Sequence, residues 1–210
     1  TLSGQLSIQW IERKINKYLN GLLDTEDKDY VVAVDTDAVY VTLGDLVSKL
    51  FDDDTESNVI IDFLDKACRD KIEPYIDECF EELADYMNAY QQKMIMKREV
   101  IAEKGVWTAK KRYVLNVWDN EGVRYEEPKI KIMGIEAVRS STPATCREKI
   151  LDSMSIIMNG TEDELMEYVS EFREEWKDLA VEDIAFPRSV NGLSKYFCPK
   201  DGYQKGTPIQ

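Results

Sequence analysis

The sequence has 210 residues, of which 43% are hydrophobic and 32% charged, enough for one large globular domain or two small ones. It contains no histidine, which excludes histidine general bases, Ser-His-Asp triads and zinc sites with histidine ligands. No apolar run approaches the roughly 20 residues of a membrane span, and no signal peptide is visible. The four cysteines form no CxxC pair, so we expect reduced thiols in a cytoplasmic protein.

The net charge is unevenly distributed along the chain. Its total of −14 argues against a nucleic-acid partner. However, residues 1–92 carry a net charge of −13, residues 93–150 a net charge of +5 and residues 151–210 a net charge of −6. The basic middle segment is therefore a better guide to partners than the total charge.

The first predicted elements are a helix and a β-hairpin. Helical spacing predicts a helix over residues 2–23. The apolar residues that share one face of it are Ile8, Ile11, Ile15, Tyr18, Leu19 and Leu22. Residues 30–42 are predicted to form a hairpin with Asp35-Thr36-Asp37 at its turn, because β-branched runs flank the two carboxylates. A short helix is predicted over residues 43–51.

The middle of the chain is predicted to change from helix to strand. A long helix is expected over residues 59–90, with a kink or break at Pro74, which has no N–H to donate. Residues 94–118 have a composition typical of strands. A turn and two short strands, over residues 123–125 and 129–133, are expected to follow.

Two helices are predicted after the strands. Thr142 is the expected N-cap of the first, with Pro143 in the first helical position, and this helix should end before Gly160. Thr161 and Glu164 are spaced as a capping box for the second helix.

Asp35 and Asp37 stand one residue apart between apolar runs, where carboxylates are costly unless a cation or a partner offsets their charge. Closely spaced carboxylates suit Mg²⁺, a hard cation that shares its oxygen ligands with substrate phosphates. The same pattern occurs in haloacid-dehalogenase-type phosphatases, where the first aspartate is a nucleophile, and in nucleotide-sugar glycosyltransferases. It also fits a plain turn in which an aspartate caps its own backbone. The tripeptide alone leaves these interpretations open.

Two further segments carry groups that could bind an anion. Lys110, Lys111 and Arg112 lie between aromatic residues, and their charges suit a phosphate backbone. On a strand, Lys110 and Arg112 would share a face and Lys111 would lie on the other. The segment 139–142, Arg-Ser-Ser-Thr, offers an arginine, hydroxyls and free N–H groups at a helix start. The alternatives are a solvated basic surface and ordinary helix capping.

Together and in this order, these segments resemble the family B DNA polymerases, especially those of T-even-like bacteriophages. Residues 35–41, DTDAVYV, resemble the palm signature YGDTDSxYV. Residues 107–113, WTAKKRY, resemble the KKRY motif that contacts the primer strand, and residues 133–143, MGIEAVRSSTP, look like the passage from palm to thumb. The sequences QWIERK, DFLDK and LNVWD are also similar to that phage branch.

The resemblance implies an α+β fold, with a palm over residues 1–138 and a truncated, mostly helical thumb over residues 139–210. The palm would be an antiparallel sheet with flanking helices. The implied function is template-directed DNA synthesis, in which a primer 3′-hydroxyl attacks a dNTP with the help of two Mg²⁺ ions. Primer–template DNA, dNTP and a sliding clamp would be the partners, in the cytoplasm of a bacterial host.

The resemblance also implies roles for individual residues. Asp37 would be the surest metal ligand, with Asp35 beside it and Glu99 near the metals. The residues expected to bind DNA are Lys110, Lys111, Arg112, Tyr113, Arg139, Ser140, Ser141 and Thr142. Among these, Lys111 and Tyr113 would touch the primer terminus.

Two parts of the family pattern are not found in the sequence: a DxxSLYP motif with another metal carboxylate, and a KxxxNSxYG helix with a nucleotide-binding lysine. We therefore expect a fragment of a larger polymerase that does not polymerise alone. Ala33-Val34 and Ala38 stand where the family has Tyr-Gly and Ser. Two alternatives are a dehalogenase-type phosphatase using Asp35 and Asp37, and a non-catalytic DNA-binding accessory module.

Overall fold

The computed structural model describes residues 1–187 and 191–203. The chain divides into two compact units. Unit 1 consists of Thr1–Glu103 and Val117–Lys129, and unit 2 of Lys104–Asn116 and the described chain from Ile130 onward. Both units combine helices with strands, which confirms the α+β class. The palm and thumb bounds stay a prediction.

The helices, in chain order, are α1 (Leu2–Leu23), α2 (Gly44–Leu50), α3 (Ser57–Ala67), α4 (Glu73–Tyr86), α5 (Ala144–Asn159), α6 (Glu162–Glu175) and α7 (Val181–Ile184). The strands are β1 (Val31–Asp35), β2 (Ala38–Val41), β3 (Val100–Ala109), β4 (Arg112–Asn120), β5 (Val123–Met133), β6 (Phe197–Cys198) and β7 (Gly202–Tyr203). The strand neighbours are β1–β2, β3–β4–β5 and β6–β7. Within the described ranges, no helix is long and apolar enough to cross a membrane.

The core of unit 1 forms where α1 packs against α4 and the first hairpin. Its buried residues are Ile11, Ile15, Leu19, Leu23, Tyr30, Val31, Ile76, Cys79, Phe80 and Leu83. The predicted helix over residues 2–23 is confirmed. Its predicted face was wrong at one position, because Leu22 is 54% exposed and Leu23 is buried instead. The buried stripe thus continues from Leu19 by a step of four residues rather than three.

The predicted long helix changes its hydrogen-bond pattern just before Pro74, but it is not broken there. A π-helical turn, Cys68–Ile72, joins α3 to α4. Proline has no N–H and its ring crowds the preceding turn, and the wider π-turn gives it room. The helix ends at Tyr86 rather than near residue 90, because Asn88 takes a left-handed conformation with φ of 52°.

The three-stranded sheet differs from the prediction in its strand bounds. Strand β3 begins at Val100, later than expected, and β4 follows after a two-residue turn. Residues 123–125 and 129–133 belong to one strand, β5, rather than two. Pro128 lies within it, and β5 is an edge strand, the kind of strand in which proline is tolerated. Two-residue connections make neighbouring strands antiparallel.

Unit 2 packs its helices around a small core of Val114, Ile135, Ala137 and Met158. The predicted capping box is confirmed: the Thr161 hydroxyl accepts from the Glu164 N–H at 3.3 Å, and the Glu164 carboxylate accepts from the Thr161 N–H at 2.8 Å. The cap of α5 was wrong by one residue, because Pro143 itself has an extended conformation and holds the cap position. All four cysteines are free thiols.

Candidate functional site

The first candidate site is the tip of the hairpin formed by β1 and β2, which confirms the predicted turn. Asp35 ends β1 and pairs with Ala38, the first residue of β2, so that Thr36 and Asp37 form the turn. The Asp37 N–H donates to the Asp35 carbonyl at 2.6 Å. The turn is therefore tight, and it brings both aspartates to one end of the hairpin.

The turn is strained at its central residue. Thr36 has a φ of 58°, a left-handed conformation that costs a β-branched residue about 1–2 kcal/mol. Its hydroxyl donates to a carboxylate oxygen of Asp35 at 3.0 Å. Asp35 is half-buried and Asp37 is exposed. Strain of this kind is typical of functional sites, which favours a ligand site over a plain turn.

Helix α1 fixes the base of the hairpin through Asn16. Its side-chain oxygen accepts from the Tyr30 N–H at 2.8 Å and from the Val31 N–H at 2.9 Å. Its side-chain NH₂ donates to Asp29 at 2.7 Å. The sequence interpretation missed Asn16, although a poor helix former in the middle of a helix was a usable signal.

Glu99, the third predicted metal carboxylate, is exposed and lies just before β3 in unit 1. Among the described residues, no three Asp, Glu or Cys side chains come together in a group that could hold a metal ion. Glu99 is thus not brought into one cluster with Asp35 and Asp37. Mg²⁺ commonly takes one or two protein carboxylates and completes its shell with water and phosphate oxygens. The two carboxylates of the hairpin fit this kind of magnesium site. They do not fit a site in which the protein supplies every ligand.

The residue before Glu99 lies in a buried charge network. The Arg98 guanidinium donates to Asp65 and to Asp119, whose side chain is only 4% exposed. Asp119 also accepts from the Gly122 N–H at 3.0 Å. Burial raises the pKa of Asp119, but the hydrogen bonds from Arg98 and Gly122 outweigh it and leave that pKa below its usual value.

Two further hydrogen bonds hold the main chain at Arg98 and Glu99. The Arg98 N–H donates to the Glu73 carboxylate at 3.0 Å, and the Glu99 carbonyl accepts from the Glu121 N–H at 2.6 Å. The Glu99 side chain is therefore exposed on a fixed backbone. The sequence interpretation missed the pairing of Arg98 with Asp119, because these two residues are 21 positions apart.

The second candidate site is the basic turn between β3 and β4 in unit 2. Lys110 and Lys111 are both exposed in this turn, and Lys111 is left-handed with φ of 60°. The prediction that Lys110 and Arg112 share one face, with Lys111 on the other, was wrong because side chains alternate only within a strand. The two lysines instead project from the tip of a hairpin.

The next two residues of this motif are less accessible. Arg112 is half-buried, and Tyr113 is only 7% exposed, with its ring centroid 6.1 Å from that of Trp107. Tyr113 therefore has little surface to offer a ligand compared with the lysines of the turn.

The predicted segment 139–142 lies next to this motif in unit 2. Glu136 pairs with Arg112 and also lies 3.8 Å from an Arg139 nitrogen. Arg139, Ser140 and Ser141 are exposed. Thr142 is only 6% exposed, and its N–H donates to the Arg139 carbonyl at 3.1 Å. The structure thus brings the two predicted DNA-binding segments together but buries Thr142.

Comparisons with known proteins identify relatives among phage enzymes. No family model matches the chain. The DNA-directed DNA polymerase of Enterobacteria phage T4 is 42% identical over 205 residues, which cover 93% of this chain and 23% of that protein. The DNA-directed DNA polymerase of Escherichia phage RB69 is 43% identical over 205 residues, with the same coverage of 93% and 23%.

These relatives bear on the alternatives left open by the sequence. Both are named as polymerases, and neither supports a phosphatase or a non-catalytic accessory module. The chain spans about a quarter of their length, 23%. These two relatives, which match 93% of this chain, confirm its resemblance to the family B DNA polymerases of the T-even phage type.

Proposed function

We propose that this chain provides the metal-binding hairpin and part of the primer–template surface of a template-directed DNA polymerase. Residues 1–138 would form palm structure and residues 139–210 part of a mostly helical thumb. The observation that carries the proposal is the strained turn that brings Asp35 and Asp37 to one hairpin tip, in a chain 42% identical to a phage polymerase.

The proposed reaction is attack of a primer 3′-hydroxyl on the α-phosphate of a dNTP, with pyrophosphate as the leaving group. Asp37 and Asp35 would hold Mg²⁺, and water and phosphate oxygens would complete its shell. The bound ion supplies positive charge that offsets the charge of the reacting phosphates. The contribution of the chain is mainly positioning, because the Thr36 hydroxyl orients Asp35 and the Asn16 side chain fixes the hairpin.

The basic surface of unit 2 would bind the duplex. Lys110, Lys111 and Arg139 would neutralise backbone phosphates, and Ser140 and Ser141 would donate hydrogen bonds to them. Such contacts set the register of the duplex without reading its sequence, as a polymerase requires. A sliding clamp and the cytoplasm of a bacterial host belong to the same proposal.

Binding of Mn²⁺, as a paramagnetic probe for Mg²⁺, tests the metal site in the 210-residue chain. We expect Asp37→Asn to weaken Mn²⁺ binding about tenfold by electron paramagnetic resonance, the effect of about 1.4 kcal/mol of lost ligand energy. Asp85→Asn is the matched control, because it removes an equal charge from an exposed position on α4. Equal Mn²⁺ affinities for the wild-type chain and Asp37→Asn would contradict the proposal.

A further inference from the structure

Glu136 is a negative charge in the middle of the basic surface. Its carboxylate pairs with the Arg112 guanidinium and lies 3.8 Å from Arg139. The Arg139 guanidinium also donates to the Gly134 carbonyl at 3.3 Å. The segment that holds Glu136 therefore contacts both arginines that are predicted to meet phosphates.

A second contact joins the same segment to the turn of the two lysines. Gly134 has a φ of 68°, and a Cβ at this position would overlap the carbonyl oxygen of Lys111. Only glycine allows this approach of the two main chains. The turn with Lys110 and Lys111 thus packs directly on the segment that contains Glu136.

The orientation of Arg112 depends on Glu136. Within the described part of the chain, the Arg112 Nε is buried and has no hydrogen-bond partner. The Arg112 guanidinium donates a hydrogen bond to the Glu136 carboxylate. Since a guanidinium has several donors in a fixed plane, losing this acceptor would leave the group without an anchor.

We propose that Glu136 is a positioning residue that holds Arg112, Arg139 and the lysine turn as one phosphate-binding surface. The inference rests on the proposed DNA interface. Charge alone predicts the opposite effect, because a carboxylate repels phosphates and its removal would release two arginines. The two explanations therefore differ in the sign of the effect on DNA affinity.

Fluorescence anisotropy with a labelled primer–template duplex tests the inference in the full 210-residue chain. Glu136→Ala and Glu136→Gln change the net charge equally, but Gln keeps an acceptor oxygen for Arg112. We expect Glu136→Ala to weaken binding about fivefold at 0.15 M salt and to reduce the salt slope by about one, as for one lost phosphate contact. Glu136→Gln should retain most of the binding that Glu136→Ala loses.

Glu167→Gln is the control for the charge change, since Glu167 is exposed on α6. A double-mutant cycle with Arg139→Ala adds a second readout, because that substitution should cost less affinity once Glu136 is replaced. Tighter binding by both Glu136 variants, or additive effects in the cycle, would overturn the inference and leave the interface intact. No duplex binding by the wild-type chain would overturn the interface and the inference together.

Discussion

Replacing Asn16 by alanine would remove the side chain that ties the Asp35-Thr36-Asp37 hairpin to α1. Two backbone N–H groups, of Tyr30 and Val31, would lose their acceptor. Tyr30 is only 1% exposed, so water cannot readily replace the lost oxygen. An unsatisfied buried donor costs about 1–3 kcal/mol, and alanine returns about 0.5 kcal/mol of helix propensity. For two donors, we therefore expect Asn16→Ala to lower the free energy of unfolding by about 1.5–5.5 kcal/mol.

Urea unfolding at pH 7, followed by far-ultraviolet circular dichroism, measures this loss. Hydrogen exchange at the Tyr30 and Val31 amides should accelerate more than exchange in α6, which lies in unit 2. Asp29→Ala is the control, because it removes only the exposed hydrogen bond of the Asn16 NH₂ and should cost less than about 1 kcal/mol. A loss below about 0.5 kcal/mol for Asn16→Ala would refute the assigned role of this side chain.

Two further substitutions test the packing around the sites. Asp119→Asn should lower the free energy of unfolding by about 2 kcal/mol at pH 7, because the buried Arg98 keeps only Asp65 as its carboxylate partner. The pKa of Asp119 is lowered, so its contribution is present above its unfolded pKa of about 4 and is lost as the pH falls through the folded value. Acid titration of unfolding should therefore be shallower in the variant; an unchanged profile would contradict this. Gly134→Ala should reduce the melting temperature more than Gly122→Ala, because both glycines have positive φ but only Gly134 faces a main-chain oxygen. Equal losses would refute the close approach.

The parts of the fold predicted from sequence are those with local signals. The first hairpin follows from β-branched runs on either side of two aspartates. The capping box of Thr161 and Glu164 follows from a fixed three-residue spacing. The π-helical turn before Pro74 follows from the missing N–H. In each case, neighbours in the sequence determine the conformation.

The parts that were missed depend on distant contacts or on unusual backbone conformations. Lys110 and Lys111 form the turn between β3 and β4, but neither is one of the residue types typical of turns, Gly, Asn, Asp or Pro. The sequence therefore could not distinguish this turn from a strand. The bridge of Glu136 to Arg112 joins residues 24 positions apart. The anchor of Asn16 to Tyr30 spans 14 positions. Neither contact is encoded by spacing or periodicity.

Primer extension by a T4 phage polymerase, in which this chain replaces the matching 205-residue segment, tests the role of the hairpin most directly. We expect Mg²⁺-dependent extension by the chimera and a loss on the order of a thousandfold for Asp37→Asn, from several kcal/mol of lost charge stabilisation. Asp85→Asn, which removes an equal charge elsewhere in unit 1, should extend the primer at the rate of the parent chimera. An Asp37→Asn chimera as fast as its parent would contradict a metal-binding role for this hairpin.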